Sequence, residues 1–226
     1  MKKFFKDWTL FEKTLLIGAT IVMSILSIIW KDSVIGFIST VTGIISVILC
    51  AKGKISNYVF GCIYVSTYAL IAWQNRLFGE VMLNLFYYLP MNFIGIAMWK
   101  KNMGADDDVT TKHMSRSMII KTVIGSVAAV LIYWQFLNFL GGNLAIIDAV
   151  TTVAAVLAMY LQVTRYTESW IMWIIVNLTS IVLWLAAMIA HGSNNVTMLV
   201  MWSAYLLNST YGYLNWKKLE NNTNEG

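Results

Sequence analysis

Eight long apolar segments follow one another along the chain, separated by short polar stretches. We number them 1 to 8: Thr14–Trp30, Ser33–Cys50, Ile55–Trp73, Phe78–Trp99, Ser117–Phe139, Leu144–Val163, Glu168–Ala190 and Asn195–Trp216. Each is near the roughly 17–25 residues that an α-helix needs to cross about 30 Å of hydrocarbon. The runs are continuous rather than alternating, which disfavours a transmembrane β-barrel. The pattern predicts an all-α integral membrane protein with eight transmembrane helices.

The composition supports the same class. Hydrophobic residues make up 58% of the chain and charged residues only 12%, about half of the roughly 25% found in soluble domains. A soluble globular domain is therefore excluded. The net charge of +5 would also suit a polyanionic partner, so the positions of the basic residues must decide what that charge means.

The basic residues lie almost entirely on one side of the membrane. When the loops are assigned alternately to the two sides, 14 of the 16 lysines and arginines share the side of the N-terminus, and only Lys31 and Arg76 lie opposite. Lysine and arginine accumulate in cytoplasmic loops. This predicts a cytoplasmic N-terminus and, with eight spans, a cytoplasmic C-terminus. The charge therefore reports topology, and no nucleic-acid partner is expected.

Segments 4 and 8 end in the same way, 117 residues apart. Tyr88–Leu89, Gly95 and Trp99–Lys101 recur as Tyr205–Leu206, Gly212 and Trp216–Lys218. We expect both tryptophans at the level of the lipid headgroups, with the lysines on the cytoplasmic side. Equivalent segments are four apart, so both copies face the same way. The pattern predicts two parallel three-helix repeats joined by a linking helix, with one extra N-terminal helix (1+3+1+3). Internal repeats of this kind are typical of transporters.

The one substantial polar interruption is Lys100–Arg116, which contains the acidic run Asp106–Asp108. The N-terminal stretch lacks the small-residue cleavage site of a signal peptide, so segment 1 is expected to stay. We predict five regions: residues 1–31, an interfacial segment (Phe4–Glu12) and the extra helix; 32–101, the first repeat; 102–143, a cytoplasmic linker and the bridging helix; 144–218, the second repeat; 219–226, a polar tail.

Segment 4 carries polar residues on one helical face, because Glu80, Asn84 and Tyr88 recur every four residues. Glu80 lies near the outer surface, and Arg76 precedes it by four residues. The helix dipole alone favours an acidic residue at a helix N-terminus. Two interpretations therefore stay open for Arg76 and Glu80: helix stabilisation, or a gate at the outer side. Pro90 removes a backbone hydrogen bond and predicts a kink.

Segment 7 carries a stripe of Trp173, Asn177, Ser180 and Trp184 at helical spacing. Asn177 lies about nine residues from the cytoplasmic face, or ~13 Å at the helical rise of ~1.5 Å per residue, which is close to the midplane. Ring faces and an amide at that depth suit a flat ligand with polar edges. The alternative is an amide that ties helices together, with the tryptophans filling space.

Further amides complete the predicted substrate-binding set. It consists of Asn84, Tyr88, Gln135, Asn138, Trp173, Asn177, Trp184 and Asn208. A charge at the centre of a membrane helix costs roughly 2.5–3.5 kcal/mol on insertion scales, and this chain uses amides, hydroxyls and rings there instead. We expect a neutral or weakly cationic ligand that has hydroxyls and a flat ring.

Motifs for catalysis, metals or nucleotide hydrolysis are missing from the sequence. There is no phosphate-binding GxxxxGK[ST] loop and no HExxH, GxSxG or CxxC pattern. His113 and His191 fall on opposite sides of the membrane, and Cys50 and Cys62 have no histidine neighbours. We therefore predict no catalytic residues, no metal site, no cofactor and no enzymatic activity.

Two stretches resemble the PnuC family of bacterial nicotinamide riboside transporters. The first is Trp73–Trp99, with Phe-Gly-Glu at Phe78–Glu80, and the second is Glu168–Trp184, with the spacing Trp170-x-x-Trp173-x-x-x-Asn177. The resemblance implies two three-helix bundles and a linking helix over about residues 33–217. In that family the helix architecture is similar to that of sugar-carrying SWEET proteins. It also implies ligand binding by Trp173 and Asn177.

The resemblance further implies uptake of nicotinamide riboside across the bacterial inner membrane by facilitated diffusion. A separate cytoplasmic kinase would trap the substrate by phosphorylation, and the protein would form a homotrimer. Members of related families carry thiamine or riboflavin, which composition does not separate from the riboside. The rival hypothesis is a non-transporting assembly or receptor protein whose polar stripes hold helices together.

Overall fold

Helices account for nearly all of the regular structure in this computed structural model, which describes residues 8–29, 33–74, 76, 78–104, 108–141, 144–191 and 196–224. Within these ranges there are eight helices: α1 (Leu10–Ile29), α2 (Val34–Lys52), α3 (Asn57–Gln74), α4 (Phe78–Lys100), α5 (Arg116–Phe139), α6 (Ala145–Val163), α7 (Ser169–His191) and α8 (Val196–Asn224). They correspond in order to segments 1 to 8, so the predicted all-α class is confirmed.

Six of the eight helices are long and apolar enough to cross a membrane: α1, α2, α4, α5, α6 and residues Ser169–Ala186 of α7. Helices α3 and α8 fall outside that criterion because of their polar side chains. Helix α8 also continues past Trp216 to Asn224, so the predicted polar tail is helical up to that residue. Phe4–Asp7, Lys31, Asp106 and Asp107 lie outside the described residues, as does the side chain of His191.

Side chains at the helix ends explain where several helices begin and end. Thr9 and Glu12 form a capping box at the start of α1, in which each side chain accepts from the backbone N–H of the other. Glu12 of the expected interfacial segment therefore lies in the first turn of α1. Ser33 and Ser115 cap α2 and α5 through their hydroxyl oxygens.

The chain divides into two units, residues 1–109 (unit 1) and 110–226 (unit 2). In unit 1, α1 packs on α2, α2 on α3, and α3 on α4. Lys52 Nζ pairs with the buried Glu12 carboxylate at 2.9 Å, which ties the start of α1 to the end of α2. Lys54 pairs with Asp108 at 2.7 Å.

In unit 2, α5 packs on α6, α6 on α7, and α7 on α8. The segment before α5 is packed against the helices: Thr111 Oγ1 donates to the carbonyl of Trp216 at 2.8 Å. The two ring nitrogens of His113 lie 3.1 Å from Glu168 Oε1 and 2.8 Å from Glu220 Oε2. These contacts hold the end of the linker to the start of α7 and to α8.

The turn between α2 and α3 has the same geometry as the turn between α6 and α7. A residue with left-handed backbone follows each first helix, Gly53 at φ +83° and Arg165 at φ +69°. The next backbone N–H donates back to the carbonyl of Leu49 at 2.9 Å in unit 1 and of Leu161 at 2.8 Å in unit 2. The equivalent positions are 112 residues apart.

The recurring Tyr-Leu…Gly…Trp ending proves to be a packing motif inside each unit. Trp99 is fully buried and meets the ring of Tyr58 edge-on, with centroids 4.9 Å apart. Trp216 is also fully buried and meets Trp170 edge-on at 5.6 Å. Each tryptophan therefore closes the contact between the last helix of its unit and the helix before it, and its level in the membrane stays a prediction.

A π-helical turn, Asn84–Tyr88, interrupts α4 immediately before Pro90. The Leu89 N–H reaches back to the carbonyl of Asn84, as the wider turn requires. Pro90 then falls in the first turn of the α-helical stretch Leu89–Lys100, where a missing N–H is tolerated. The irregularity predicted at the proline is thus a change of helical pitch that precedes it.

We predict that Gly95→Ala and Gly212→Ala destabilise the protein, while Gly125→Ala does not. A Cβ on Gly95 would run into the ring of Tyr58, and one on Gly212 would lie 2.7 Å from Trp170 atoms, whereas Gly125 has open space. Overpacking of this kind costs about 1–3 kcal/mol. Thermal unfolding in detergent should show lower melting temperatures for the first two variants. Equal melting temperatures for all three would contradict the packing role.

Candidate functional site

Two helices of unit 2 are joined through buried polar side chains at Asn177 and Ser209. Asn177 Nδ2 on α7 donates to Ser209 Oγ on α8 at 2.9 Å. The two residues are only 3% and 4% exposed. A buried amide without a partner is costly, so this bond explains how α7 carries Asn177 in its apolar surroundings.

Trp173, one turn before Asn177, is held by a second polar contact. Its indole N–H donates to Gln162 Oε1 on α6 at 2.7 Å. Its ring packs, like that of Trp202, against the buried cluster of Ala154, Ala155 and Val176. The indole is therefore fixed at its polar edge by α6 and supported by apolar residues of α6 and α7.

Two other predicted residues of unit 2, Asn208 and Trp184, lie at different distances from the bonded pair Asn177–Ser209. Asn208 is buried on α8, next to Ser209 in the chain. Trp184 is half-buried on α7, seven residues beyond Asn177, which is about 10 Å along a helix. A hydroxyl bond from Thr151 to Thr179, at 2.8 Å, joins α6 to α7 between them. Unit 2 thus places Trp173 and Asn177 on neighbouring turns of α7. Asn208 lies next in the chain to Ser209, the partner of Asn177, and Trp184 lies farther along α7.

Gln135 and Asn138 are both exposed on α5. None of the residues of α5 is buried within the described structure. The structure of unit 2 does not join these two amides to the pair Asn177–Ser209, so their role stays a prediction.

In unit 1, the buried amides of α4 bond to their own helix. Asn84 is buried, and its Nδ2 donates to the Glu80 carbonyl at 2.9 Å. Asn92, which was not predicted as a site residue, donates in the same way to the Tyr88 carbonyl at 2.9 Å. Tyr88 is half-buried, with its ring 5.3 Å from that of Tyr87.

The proposed gate residues are both on the surface of unit 1. Arg76 is exposed in the turn before α4, with a left-handed backbone at φ +58°. Glu80 is exposed in the first turn of α4. Arg76 precedes Glu80 by four residues, and the proposed gating role rests on their position at the start of α4.

The two matching turns define which positions of the two units are equivalent. The hydrogen-bonded pairs Trp173–Gln162 and Asn177–Ser209 have no counterpart at the equivalent positions of unit 1. Counting back 112 residues, Gln162 corresponds to Cys50, Trp173 to Gly61, and Asn177 to Val65. Counting back 117 residues, Ser209 corresponds to Asn92. In unit 1, the Asn92 amide packs so closely on Gly61 that an added Cβ there would lie 2.6 Å from Oδ1. The polar group fills space that a tryptophan ring would need.

Three residues of this region were not predicted from the sequence: Gln162, Ser209 and Trp202. Gln162 and Ser209 are the partners of Trp173 and Asn177, 11 and 32 residues away along the chain. Helical spacing on one segment does not indicate a partner on another helix. In the described residues, no group of three or more His, Cys, Asp or Glu side chains could hold a metal ion.

A chain of membrane-length helices that buries rings, amides and a hydroxyl within one helical unit has the features of a small-molecule membrane transporter. The family described as nicotinamide mononucleotide transporter matches residues 33–218. The chain belongs to this family, and the resemblance noted in the sequence is confirmed.

Individual relatives agree with the family. A Neisseria mucosa protein named nicotinamide riboside transporter PnuC is 38% identical, over 96% of this chain and 85% of that protein. A Haemophilus influenzae protein of the same name is 38% identical, over 99% and 96%. The solved crystal structure of the vitamin B3 transporter PnuC is similar with a TM-score of 0.82 and 38% identity, covering 98% of this chain and 96% of that one. These relatives are named as transporters, so the chain is not an enzyme.

We predict that Asn177 and Ser209 are energetically coupled. Asn177→Leu and Ser209→Ala should each lower the melting temperature, because each removes one partner of a buried hydrogen bond, at a cost of about 1–3 kcal/mol. The double variant should cost less than the sum of the two, since the second change removes a bond that is already lost. Additive costs in thermal unfolding would contradict the coupling.

Proposed function

We propose that this protein imports nicotinamide riboside across the bacterial inner membrane. The observation that carries the proposal is the cluster of unit 2, in which the Trp173 ring and the Asn177 amide are one helical turn apart and both are held by neighbouring helices. Two relatives named nicotinamide riboside transporter, each 38% identical over nearly the whole chain, support the same substrate.

The chemistry of the cluster suits this substrate. Nicotinamide riboside has a flat, positively charged pyridinium ring, a carboxamide and a ribose. The face of a tryptophan attracts such a cation, by about 0.5–2 kcal/mol, and an amide side chain pairs with a carboxamide or with hydroxyls. None of the side chains in the cluster carries a charge; they are Gln162, Trp173, Asn177, Asn208 and Ser209.

The uncharged cluster favours the riboside over the mononucleotide in the family's description. A phosphate group is normally recognised by arginine, lysine or a helix N-terminus. The cluster offers amides, hydroxyls and rings instead. Loss of the phosphate before uptake would therefore match the ligand to the side chains that are present.

We infer a 1+3+1+3 architecture, in which residues 32–101 and 144–218 form parallel repeats joined by the linker and bridging helix at 102–143. The equal turns at Gly53 and Arg165 support it, as do the two edge-on aromatic pairs that contain Trp99 and Trp216. Eight spans would put both termini on the same side, and the distribution of basic residues favours the cytoplasm.

Transport in this proposal is facilitated diffusion by alternating access. The sequence holds no phosphate-binding loop for ATP, and trapping by a cytoplasmic kinase would keep the inward gradient. The exposed pair Arg76 and Glu80 would close the outer side. A SWEET-like arrangement and a homotrimer rest on the family resemblance, and the exposed apolar surface of α5 is suited to lipid or to another copy.

We predict that nicotinamide riboside raises the melting temperature of the purified protein, whereas thiamine, riboflavin and nicotinamide mononucleotide do not. Binding to the folded state at 100 times Kd stabilises it by about 2.7 kcal/mol. Trp173→Leu should weaken or abolish the shift, because it removes the ring face. Trp73→Leu is the matched control, since Trp73 is 62% exposed on α3.

The same panel separates the alternatives. A shift with thiamine or riboflavin instead would contradict nicotinamide riboside as the substrate, but it would still support a vitamin transporter. A shift with the mononucleotide would contradict the argument from the uncharged cluster. No shift with any of the four compounds would favour the non-transporting assembly or receptor protein.

A further inference from the structure

Gln162 makes a contact that the shared scaffold of the two units does not require. It lies in the last turn of α6, only 9% exposed, between the buried Leu161 and Val163. Its Oε1 accepts from the indole N–H of Trp173 at 2.7 Å. An amide in such surroundings is expensive to bury, so its presence needs a reason in the local structure.

Comparison with the corresponding position in unit 1 indicates the reason for the amide. Cys50 occupies it, in a turn that has a left-handed residue at the equivalent position and equivalent backbone hydrogen bonds. The turn therefore forms without an amide. Unit 1 also has Gly61 in place of Trp173. The glutamine and the tryptophan occur together in unit 2 and are replaced together in unit 1, which links Gln162 to the indole rather than to the turn.

The contact determines the plane of the indole. A tryptophan side chain has two rotatable bonds, and a hydrogen bond at Nε1 fixes the rotation of the ring about the second. The apolar cluster of Ala154, Ala155 and Val176 supports the ring but is non-directional. Stacking on a flat cation depends on which way the ring face points. A ring without the bond to Gln162 would keep its apolar support and lose its fixed orientation.

We propose that Gln162 is a positioning residue that holds the Trp173 ring in the orientation used for ligand binding, without touching the ligand. The effect on affinity rests on the proposed function, namely that Trp173 binds nicotinamide riboside. The effect on the ring itself does not, and the two are measured separately.

The first measurement needs no ligand. In the full-length protein labelled with ¹⁵N at its indole nitrogens, the Trp173 signal is assigned by its loss in Trp173→Phe. Gln162→Leu should shift or broaden that signal, because the N–H loses its acceptor, while Gln162→Glu should restore a hydrogen-bonded position. Thr164→Val, in the same turn, is the matched control, because the Thr164 hydroxyl donates to backbone carbonyls of α6. An unchanged Trp173 signal in Gln162→Leu would overturn the proposal.

The second measurement is a double-variant cycle of nicotinamide riboside affinity. Gln162→Leu should raise Kd about three- to tenfold, the range of one hydrogen bond, and Gln162→Glu should recover most of the affinity. In the Trp173→Phe background, which lacks the indole N–H, Gln162→Leu should cause no further loss. An equal loss in both backgrounds would overturn the positioning role, because Gln162 would then act on the ligand or on the fold directly.

The outcomes separate the two proposals. If the wild-type protein binds no nicotinamide riboside, the proposed function fails, and the indole signal alone decides whether Gln162 orients Trp173. If the wild-type protein binds and Gln162→Leu binds equally well, the positioning role fails and the proposed function stands. Should Gln162→Leu not fold, Gln162→Met removes the acceptor with an unbranched side chain and serves in both measurements.

Discussion

A polar side chain in a membrane-spanning helix must be given a hydrogen-bond partner by the protein, because lipid offers none. The two units meet this constraint differently. In unit 1, Asn84 and Asn92 donate to carbonyls one turn back on the same helix. In unit 2, Asn177 and Trp173 donate to side chains of neighbouring helices. The bonds in unit 1 form within a single helix. The bonds in unit 2 form only when neighbouring helices pack together, and they bring side chains of those helices into contact.

We infer from this difference that the two units have different roles. The turns at Gly53 and Arg165 and the closures by Trp99 and Trp216 are alike, and they hold the last three helices of each unit together. Where unit 2 has an indole and an amide, unit 1 has Gly61 and Val65. We propose that the two units share a scaffold and that unit 2 carries polar and aromatic groups for a ligand.

Much of the fold could be predicted from the sequence, because continuous apolar runs of membrane length have few other interpretations. The eight helices and their order follow from those runs. The burial of Trp99 and Trp216 could not be predicted, since a tryptophan before two lysines is also what a headgroup-level residue looks like. The π-helical turn at Asn84–Tyr88 was likewise hidden, because a proline indicates an irregularity but not its form.

The candidate site was predictable only in part. Spacing along segment 7 identified Trp173 and Asn177, since residues on one helical face are visible in the sequence. Their partners Gln162 and Ser209 were missed, because a contact between helices leaves no periodic signal. Gln135 and Asn138, which were predicted as amides in an apolar segment, are both exposed on α5, and their role in the site stays a prediction. Amide content alone does not tell which face of a helix is buried.

The most direct test of the account is uptake of labelled nicotinamide riboside into proteoliposomes that contain the purified wild-type protein, with neither ATP nor an ion gradient. Label should enter until the inner and outer concentrations are equal. Excess unlabelled riboside inside should speed its early entry, and Asn177→Leu should abolish uptake. No uptake by a correctly inserted protein, uptake that requires an imposed ion gradient, or transport of thiamine in place of the riboside would contradict it.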